Sequence, residues 1–209
     1  MPVVTGVLER RGRAKVFVDE EFWAELDAGA AMELGLREGT ELSDEELAGA
    51  RVAGEKPLAM NRALNILGYR ARAKGELGER LLRAGYAEGT VGEVLARLEE
   101  LGYLDDEEFA RERVRAGARK YGPRRIFGDL RRTGLDEEVA RKSVEEEFAG
   151  RSEYQTALEI ARRRYNTGED PKGAGLGLAR RVYGFLMRRG YSAAVCAEVA
   201  RAYRRETEE

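Results

Sequence analysis

Apolar residues in this chain recur at helical spacing over most of its length, and the recurrence is itself repeated. Leu77, Leu81, Gly85 and Tyr86 share one pattern with Ile126, Leu130, Gly134 and Leu135, and with Val182, Leu186, Gly190 and Tyr191. Apolar residues four apart lie on one helix face. A glycine just past the helix end suits the left-handed C′ position, and the apolar residue after it folds back onto the last turn. Gly85, Gly134 and Gly190 are 49 and 56 residues apart. That spacing predicts a tandem repeat of helical units, an architecture that acts by presenting a surface to a partner.

The first 26 residues alternate as strands do. Val4, Gly6 and Leu8, then Lys15 to Val18, flank a turn at Arg11–Gly12, and Phe22, Ala24 and Leu26 give a third short strand. Asp27 is placed to cap a short helix through Leu34 that Gly35 ends, and Trp23 is expected to pack this module. Ser43 and Glu46 have capping-box spacing for a helix over Asp44–Arg51. Gly54 to Pro57 then reads as the boundary of a small acidic module, residues 1–56.

Three helices are expected in each following unit. Residues 57–104 give Ala59–Tyr69, with Leu64 and Leu67 inward, then Lys74–Ala84, then a helix that Thr90 and Glu93 cap as a box, with Val91, Val94, Leu95 and Leu98 inward. Residues 105–150 open at Asp105-Asp106, whose charges suit a helix N-terminus, and bury Ala110, Val114 and Ala118. Gly122-Pro123 restarts the chain as a second helix to Thr133, and Asp136 caps a third through Phe148. Residues 151–209 carry a helix from Glu153 with Leu158, Ala161 and Tyr165 inward. A Gly-rich loop over Asn166–Gly177 follows, then helices over Leu178–Arg189 and Ala193–Tyr203. The fold expected is mainly α: three tandem three-helix repeats in an elongated array, preceded by a small β-hairpin-containing N-terminal module.

Composition narrows the chemistry. The net charge of −2 over 209 residues hides a division, because residues 1–56 carry 7 basic and 13 acidic side chains and residues 57–209 carry 30 and 26. The absence of His removes the commonest general base and zinc ligand. The single Cys196 excludes an intramolecular disulfide and is read as a buried small hydrophobe. No stretch has the length and apolarity of a bilayer span, and no basic start leads into an apolar run; the expectation is a cytoplasmic, monomeric protein. A Walker-type phosphate loop is absent. Gly173, Gly175 and Gly177 neither follow a strand nor open a βαβ unit, so they read as a connection. Asp105-Asp106 lacks further carboxylates at metal spacing and reads as a cap. No enzyme, metal or cofactor is expected.

Several segments, in order along the chain, resemble the RecX family of recombination regulators. They are Arg70, Arg72, Glu76 and Leu77; then Gly102-Tyr103-Leu104-Asp105-Asp106 with Phe109-Ala110; then Tyr121-Gly122 with Arg125-Ile126, Leu130 and Gly134-Leu135; and last Arg189-Gly190-Tyr191-Ser192. The resemblance covers about residues 59 to 203, and the N-terminal module is similar to an extension found in some members. Ala73 stands where the family commonly has Ser, which removes an N-cap worth about 1 kcal/mol. Gly75 and Gly128 also sit within expected helices at a propensity cost. The resemblance implies a non-enzymatic modulator in DNA repair and recombination. Such a protein binds RecA and its filament on single-stranded DNA, limits filament growth, and depresses strand exchange and ATP hydrolysis.

Ala110–Thr133 holds the densest charge, nine basic side chains against Glu112 and Asp129. Arg111, Arg115 and Arg119 fall on one helical strip, Arg124 and Arg125 in the first turn of the next helix, and Arg131 and Arg132 near its end. Arg70 and Arg72 in the first repeat, and Arg180, Arg181, Arg188 and Arg189 in the third, repeat the theme. The candidate partner-binding set is Arg111, Arg115, Arg119, Arg124, Arg125, Arg131, Arg132, Arg70, Arg72, Arg188 and Arg189, facing acidic RecA side chains, DNA phosphate, or both. Two bland readings compete: an Arg face paired with Glu137, Glu138, Glu145, Glu146 and Glu147, and Arg125 packing its stem across the helix pair. Tyr103, Tyr121 and Tyr191 read as corner aromatics ahead of base-stacking platforms. The rival function is a RecA-independent DNA- or RNA-binding helical repeat protein; a generic helical adaptor would bind neither.

Overall fold

A computed structural model describes residues 1–165 and 176–208. The chain forms two units, Met1–Asp105 and Asp106–Glu209. In the first, β1 (Val4–Arg10), β2 (Arg13–Val18) and β3 (Glu21–Asp27) make an antiparallel meander in the order β1-β2-β3. Both hairpins turn through two positive-φ residues, Arg11-Gly12 and Asp19-Glu20, the type whose twist matches the strands. Asp19 and Glu20 lack the freedom of glycine, and two hydrogen bonds hold them there. The Asp19 carboxylate accepts from the Val3 amide at 3.0 Å, and the Glu20 amide donates to Thr5 Oγ1 at 2.9 Å. Ala14, Val16, Ala24 and Leu26 fill one face of the sheet, with Trp23 partly buried beside them.

Helix α1 (Ala28–Glu33) is capped by Asp27 and followed by Gly35 at φ 67°, as its sequence implies. The Ser43–Glu46 box is formed, with bonds of 3.2 and 2.7 Å. Accepting from Ser43 holds the Glu46 carboxyl below its ordinary pKa.

The next element corrects an expected break, because the helices expected over Asp44–Arg51 and Ala59–Tyr69 are one. Helix α2 runs unbroken over Asp44–Tyr69 with Pro57 inside it. The apparent punctuation at Gly54–Pro57 serves packing. Gly54 lies against Leu26, where an added Cβ would come within 2.7 Å of its side chain. Glu55, only 3% exposed, reaches the next helices. It accepts from the Ala87 amide and from Thr90 Oγ1, each at 2.8 Å, and pairs with Arg51 at 2.8 Å. These contacts offset the roughly 3 kcal/mol that an interior proline costs a helix. Sheet and first helical repeat therefore share one helix.

Helix α3 (Lys74–Arg83) starts at Ala73 with no side-chain cap. Helix α4 (Glu88–Glu100) starts two residues before Thr90, so Thr90 and Glu93 do not form the expected capping box. Thr90 is buried with its hydroxyl on Glu55, and Glu93 pairs with Lys56 at 2.7 Å. Ala59, Ala63, Leu77, Leu81, Val91, Val94, Leu98 and Leu104 form the helical core. The alanines of α2, ahead of the expected Leu64 and Leu67, face it most closely.

The second unit holds α5 (Asp106–Ala118), α6 (Pro123–Arg131), α7 (Glu137–Phe148), α8 (Glu153–Arg164), α9 (Leu176–Arg189) and α10 (Ala193–Glu208). Asp136 caps α7 through the amides of Glu138 and Val139, which holds its carboxyl below its ordinary pKa. Ala157, Ile160, Ala161, Val182, Leu186, Tyr191, Cys196, Val199 and Tyr203 build the last core. Residues Asn166–Gly175 of the expected loop, Gly173 and Gly175 among them, lie outside the described residues; α9 begins two residues before the expected Leu178.

The repeated glycine corners have the expected geometry. Gly85, Gly134 and Gly190 take φ of 95°, 78° and 85°. The amides of Tyr86 and Tyr191 reach back to the carbonyls of Leu81 and Leu186 at 3.4 and 3.2 Å, the long bond of a Schellman cap. Gly102-Tyr103 repeats it, with Tyr103 bonded to Leu98 at 2.8 Å.

Candidate functional site

One of these corners, at Gly190, meets the start of α6 in the second unit. Gly122 precedes α6 and Gly190 follows α9. The Gly122 amide donates to the Arg189 carbonyl at 2.8 Å, and the Arg124 amide to the Gly190 carbonyl at 3.2 Å. Two donors of the first turn of α6 are thereby satisfied by the end of α9. A Cβ on Gly122 would stand 2.6 Å from Gly190 O, and one on Gly190 would stand 2.3 Å from Arg125 Cβ. Only glycine allows that approach.

Two arginines clasp the junction from opposite sides. Arg125 Nη1 donates to the Arg188 carbonyl at 3.0 Å, and Arg189 Nη1 to the Lys120 carbonyl at 2.8 Å. Each cation thus sits on the carbonyls at a helix end, where the dipole favours positive charge. The Tyr121 ring lies beneath both guanidiniums, 4.1 Å from Arg125 and 5.1 Å from Arg189, contacts worth about 0.5–1 kcal/mol each at an exposed site. Arg189 also lies 5.0 Å from the Phe185 ring. The Arg125 stem therefore does bridge elements, and Tyr121 is a corner aromatic under cations. Sequence reasoning missed Lys120 as an acceptor and the pairing of Gly122 with Gly190, residues too far apart for any local signal.

Around this clasp the structure gathers Lys120, Arg124, Arg125, Arg188 and Arg189. Asp129 approaches Arg125 only to 3.8 Å. Arg124 and Arg188 are exposed and form no ion pair among the described residues, and the same holds for Arg115 on α5 and Arg119 just past its end. The rest of the expected set is engaged locally. Arg111 lies on Glu107 and Glu108 at 3.3 and 2.8 Å. Arg132 pairs with Asp129, and Arg131 bonds the Leu135 carbonyl at 2.6 Å and approaches Glu137 to 3.8 Å. Of the α7 acids named as partners for this face, Glu137 is the one an arginine of α6 reaches. Arg180 and Arg181, on α9, are exposed.

In the first unit Arg70 and Arg72 converge with Arg80 on one carboxylate, Glu76. Burial raises the Glu76 pKa, but Arg72 and then Arg70 outweigh it and hold the carboxyl below its ordinary value. Three guanidiniums on one carboxylate leave positive charge over, yet Arg72 is nearly buried and its role is to hold the α2–α3 connection.

Next to the clasp, the third-repeat core carries two groups that burial makes harder to ionise. The Tyr191 hydroxyl is buried, with no hydrogen-bond partner among the described residues. Burial, with the nearby Glu153 carboxylate, pushes its pKa up to about 12. Burial likewise raises the Cys196 thiol, with Glu153 adding to it; both groups stay neutral and serve packing. Glu153 itself caps α10 by accepting from the Ser192 amide and hydroxyl at 2.8 and 3.1 Å. Among the described residues no three His, Cys, Asp or Glu side chains are grouped to hold a metal ion, and no helix is long and apolar enough to cross a membrane.

Comparison with known proteins places these elements. Family models described as the first and second three-helix domains of RecX match residues 59–98 and 105–143. Regulatory protein RecX of Mycobacterium sp. (strain JLS) is 40% identical over 141 residues, 65% of this chain and 76% of that protein. Regulatory protein RecX of Bacillus subtilis (strain 168) is 28% identical over 149 residues, 69% of this chain and 56% of that one. Two crystal structures share the fold. One, of regulatory protein RecX, has a TM-score of 0.58 at 22% identity and covers 95% of this chain and 98% of its own. The other, of RecX from Lactobacillus salivarius, has a TM-score of 0.59 at 20% identity and covers 72% and 97%.

Proposed function

The chain belongs to the RecX family, and from that premise we propose that it is a regulatory protein that binds RecA filaments on single-stranded DNA and restrains them. The contact is made by the arginine face of the second unit: Arg115 on α5, Arg119 in the turn after it, and Arg124 and Arg188 beside the clasp. The observation that carries this assignment is the junction of Gly122 with Gly190, which sets cations from two repeats side by side with one carboxylate nearby. Such a surface suits acidic side chains or phosphate. Arg125 and Arg189 position it, through backbone carbonyls and the Tyr121 ring. Regulation is by binding to the filament, without catalysis, and strand exchange and ATP hydrolysis fall as a result.

The test is steady-state ATP hydrolysis by the cognate RecA on excess single-stranded DNA, titrated with this protein at physiological salt. The expected result is a fall at well below one protein per RecA. Unchanged hydrolysis would remove RecA inhibition. If tight, steeply salt-dependent binding to naked nucleic acid appeared in its place, the RecA-independent reading would stand.

A further inference from the structure

The first unit contains a cleft of about 660 Å³ that the arginine face does not involve. It lies between β3, α2 and the corner after α3. β3 is the terminal strand of the sheet, and four consecutive residues, Phe22 to Glu25, line the cleft. Val16 pairs with Ala24 and Phe17 with Phe22, which leaves Trp23 as an extra residue on β3; Ala24 and Glu25 beyond it point to opposite faces, and a cleft that all four line runs along the outer edge of the strand. Aromatic surface is concentrated there. Phe22 is 57% exposed and Tyr69 89% exposed, with Trp23 and Tyr86 half-buried.

The polar groups opposite are unspent. Asn61 and Asn65, one turn apart on α2, line the cleft and make no side-chain hydrogen bond among the described residues. Each amide can both donate and accept, which matches the alternating groups of a peptide backbone. Two of the three guanidiniums are compensated: Arg13 by Glu25 and Arg51 by Glu55, each at 2.8 Å. Arg62, which lies near Tyr86, forms no ion pair among the described residues. One uncompensated cation matches one carboxylate. It does not match a nucleic-acid strand, which brings a charge per nucleotide toward Glu25, Glu55 and the negative end of the α2 dipole.

We infer that this cleft binds an extended peptide segment of a partner protein, carrying one large apolar side chain beside one carboxylate. The backbone lies along the β3 edge as an added strand, the apolar side chain rests against Phe22 and Trp23, and the carboxylate meets Arg62.

Trp23 is the chain's one tryptophan, so its emission reports on this cleft alone. The full chain is titrated with acetyl-Thr-Phe-Asp-Val-Thr-amide, with its Asp→Lys counterpart, and with a short oligothymidylate. The expected result is a saturable change with the Asp peptide below about 1 mM, none with the other two probes, and an affinity at least about tenfold weaker in Arg62→Glu at unchanged far-ultraviolet circular dichroism. A double variant, Asn61→Ala with Asn65→Ala, weakens binding in the same way. Saturation by oligothymidylate, equal binding of the two peptides, or a flat response to all three would overturn the inference.

Discussion

Gly122 and Gly190 stand backbone to backbone, 68 residues apart in sequence, with the Gly190 carbonyl oxygen 2.6 Å from where a Gly122 Cβ would be. The obstacle is main chain, so relief requires moving a helix end. Gly122→Ala is therefore expected to lower stability by about 2–3 kcal/mol. Gly190→Ala should cost at least as much, because its φ of 85° adds strain for a side chain. Urea denaturation followed by circular dichroism checks both, and a midpoint unchanged in either variant would show that the junction yields.

Glu55 ties the sheet-bearing half of α2 to the start of α4. Glu55→Ala leaves the Ala87 amide and the Thr90 hydroxyl without their acceptor, and the expected loss is about 3 kcal/mol. Thr90→Val removes donor and polar group together at similar volume and should cost less than half of that. Equal losses in the two variants would mean that the Thr90 bond alone carries the effect of Glu55, and that the Ala87 and Arg51 contacts add nothing.

Glu76 gives stability a pH dependence. Its pKa is lower in the folded state than the ordinary 4.5. The contribution is then fully present above that value and drains away as pH falls through the folded pKa. Glu76→Gln is expected to be less stable than the parent by about 1–2 kcal/mol at neutral pH, with the two curves converging as pH falls through the folded pKa. A gap that stays constant from neutral pH down to the onset of acid unfolding would assign the effect to hydrogen bonding or packing in place of charge.

What the sequence could disclose was set by the range of each interaction. The glycine corners were legible because a Schellman cap is closed within six residues, as Tyr86 and Tyr191 show. The caps at Asp27, Ser43 and Asp136 were legible for the same reason. Pro57 misled, since its local cost was overruled by Glu55 and Gly54 packing against residues far along or far back in the chain. Thr90 and Glu93 had the spacing of a capping box, yet Glu55 supplied the acceptor from 35 residues away. The local pairing of Arg111 with Glu107 and Glu108 lay in plain view at helical spacing. The meeting of Gly122 with Gly190 left no local trace, and with it went the distinction between arginines that hold the junction and arginines that stay open.

That distinction yields the most direct test. The fourfold variant Arg115→Glu, Arg119→Glu, Arg124→Glu and Arg188→Glu removes charges that form no ion pair among the described residues, so helicity and the urea midpoint should match the parent. In the RecA ATPase titration on single-stranded DNA, the concentration for half-inhibition is predicted to rise at least about tenfold. Inhibition by the folded variant at the parent's concentration would contradict the assignment of this face to the filament.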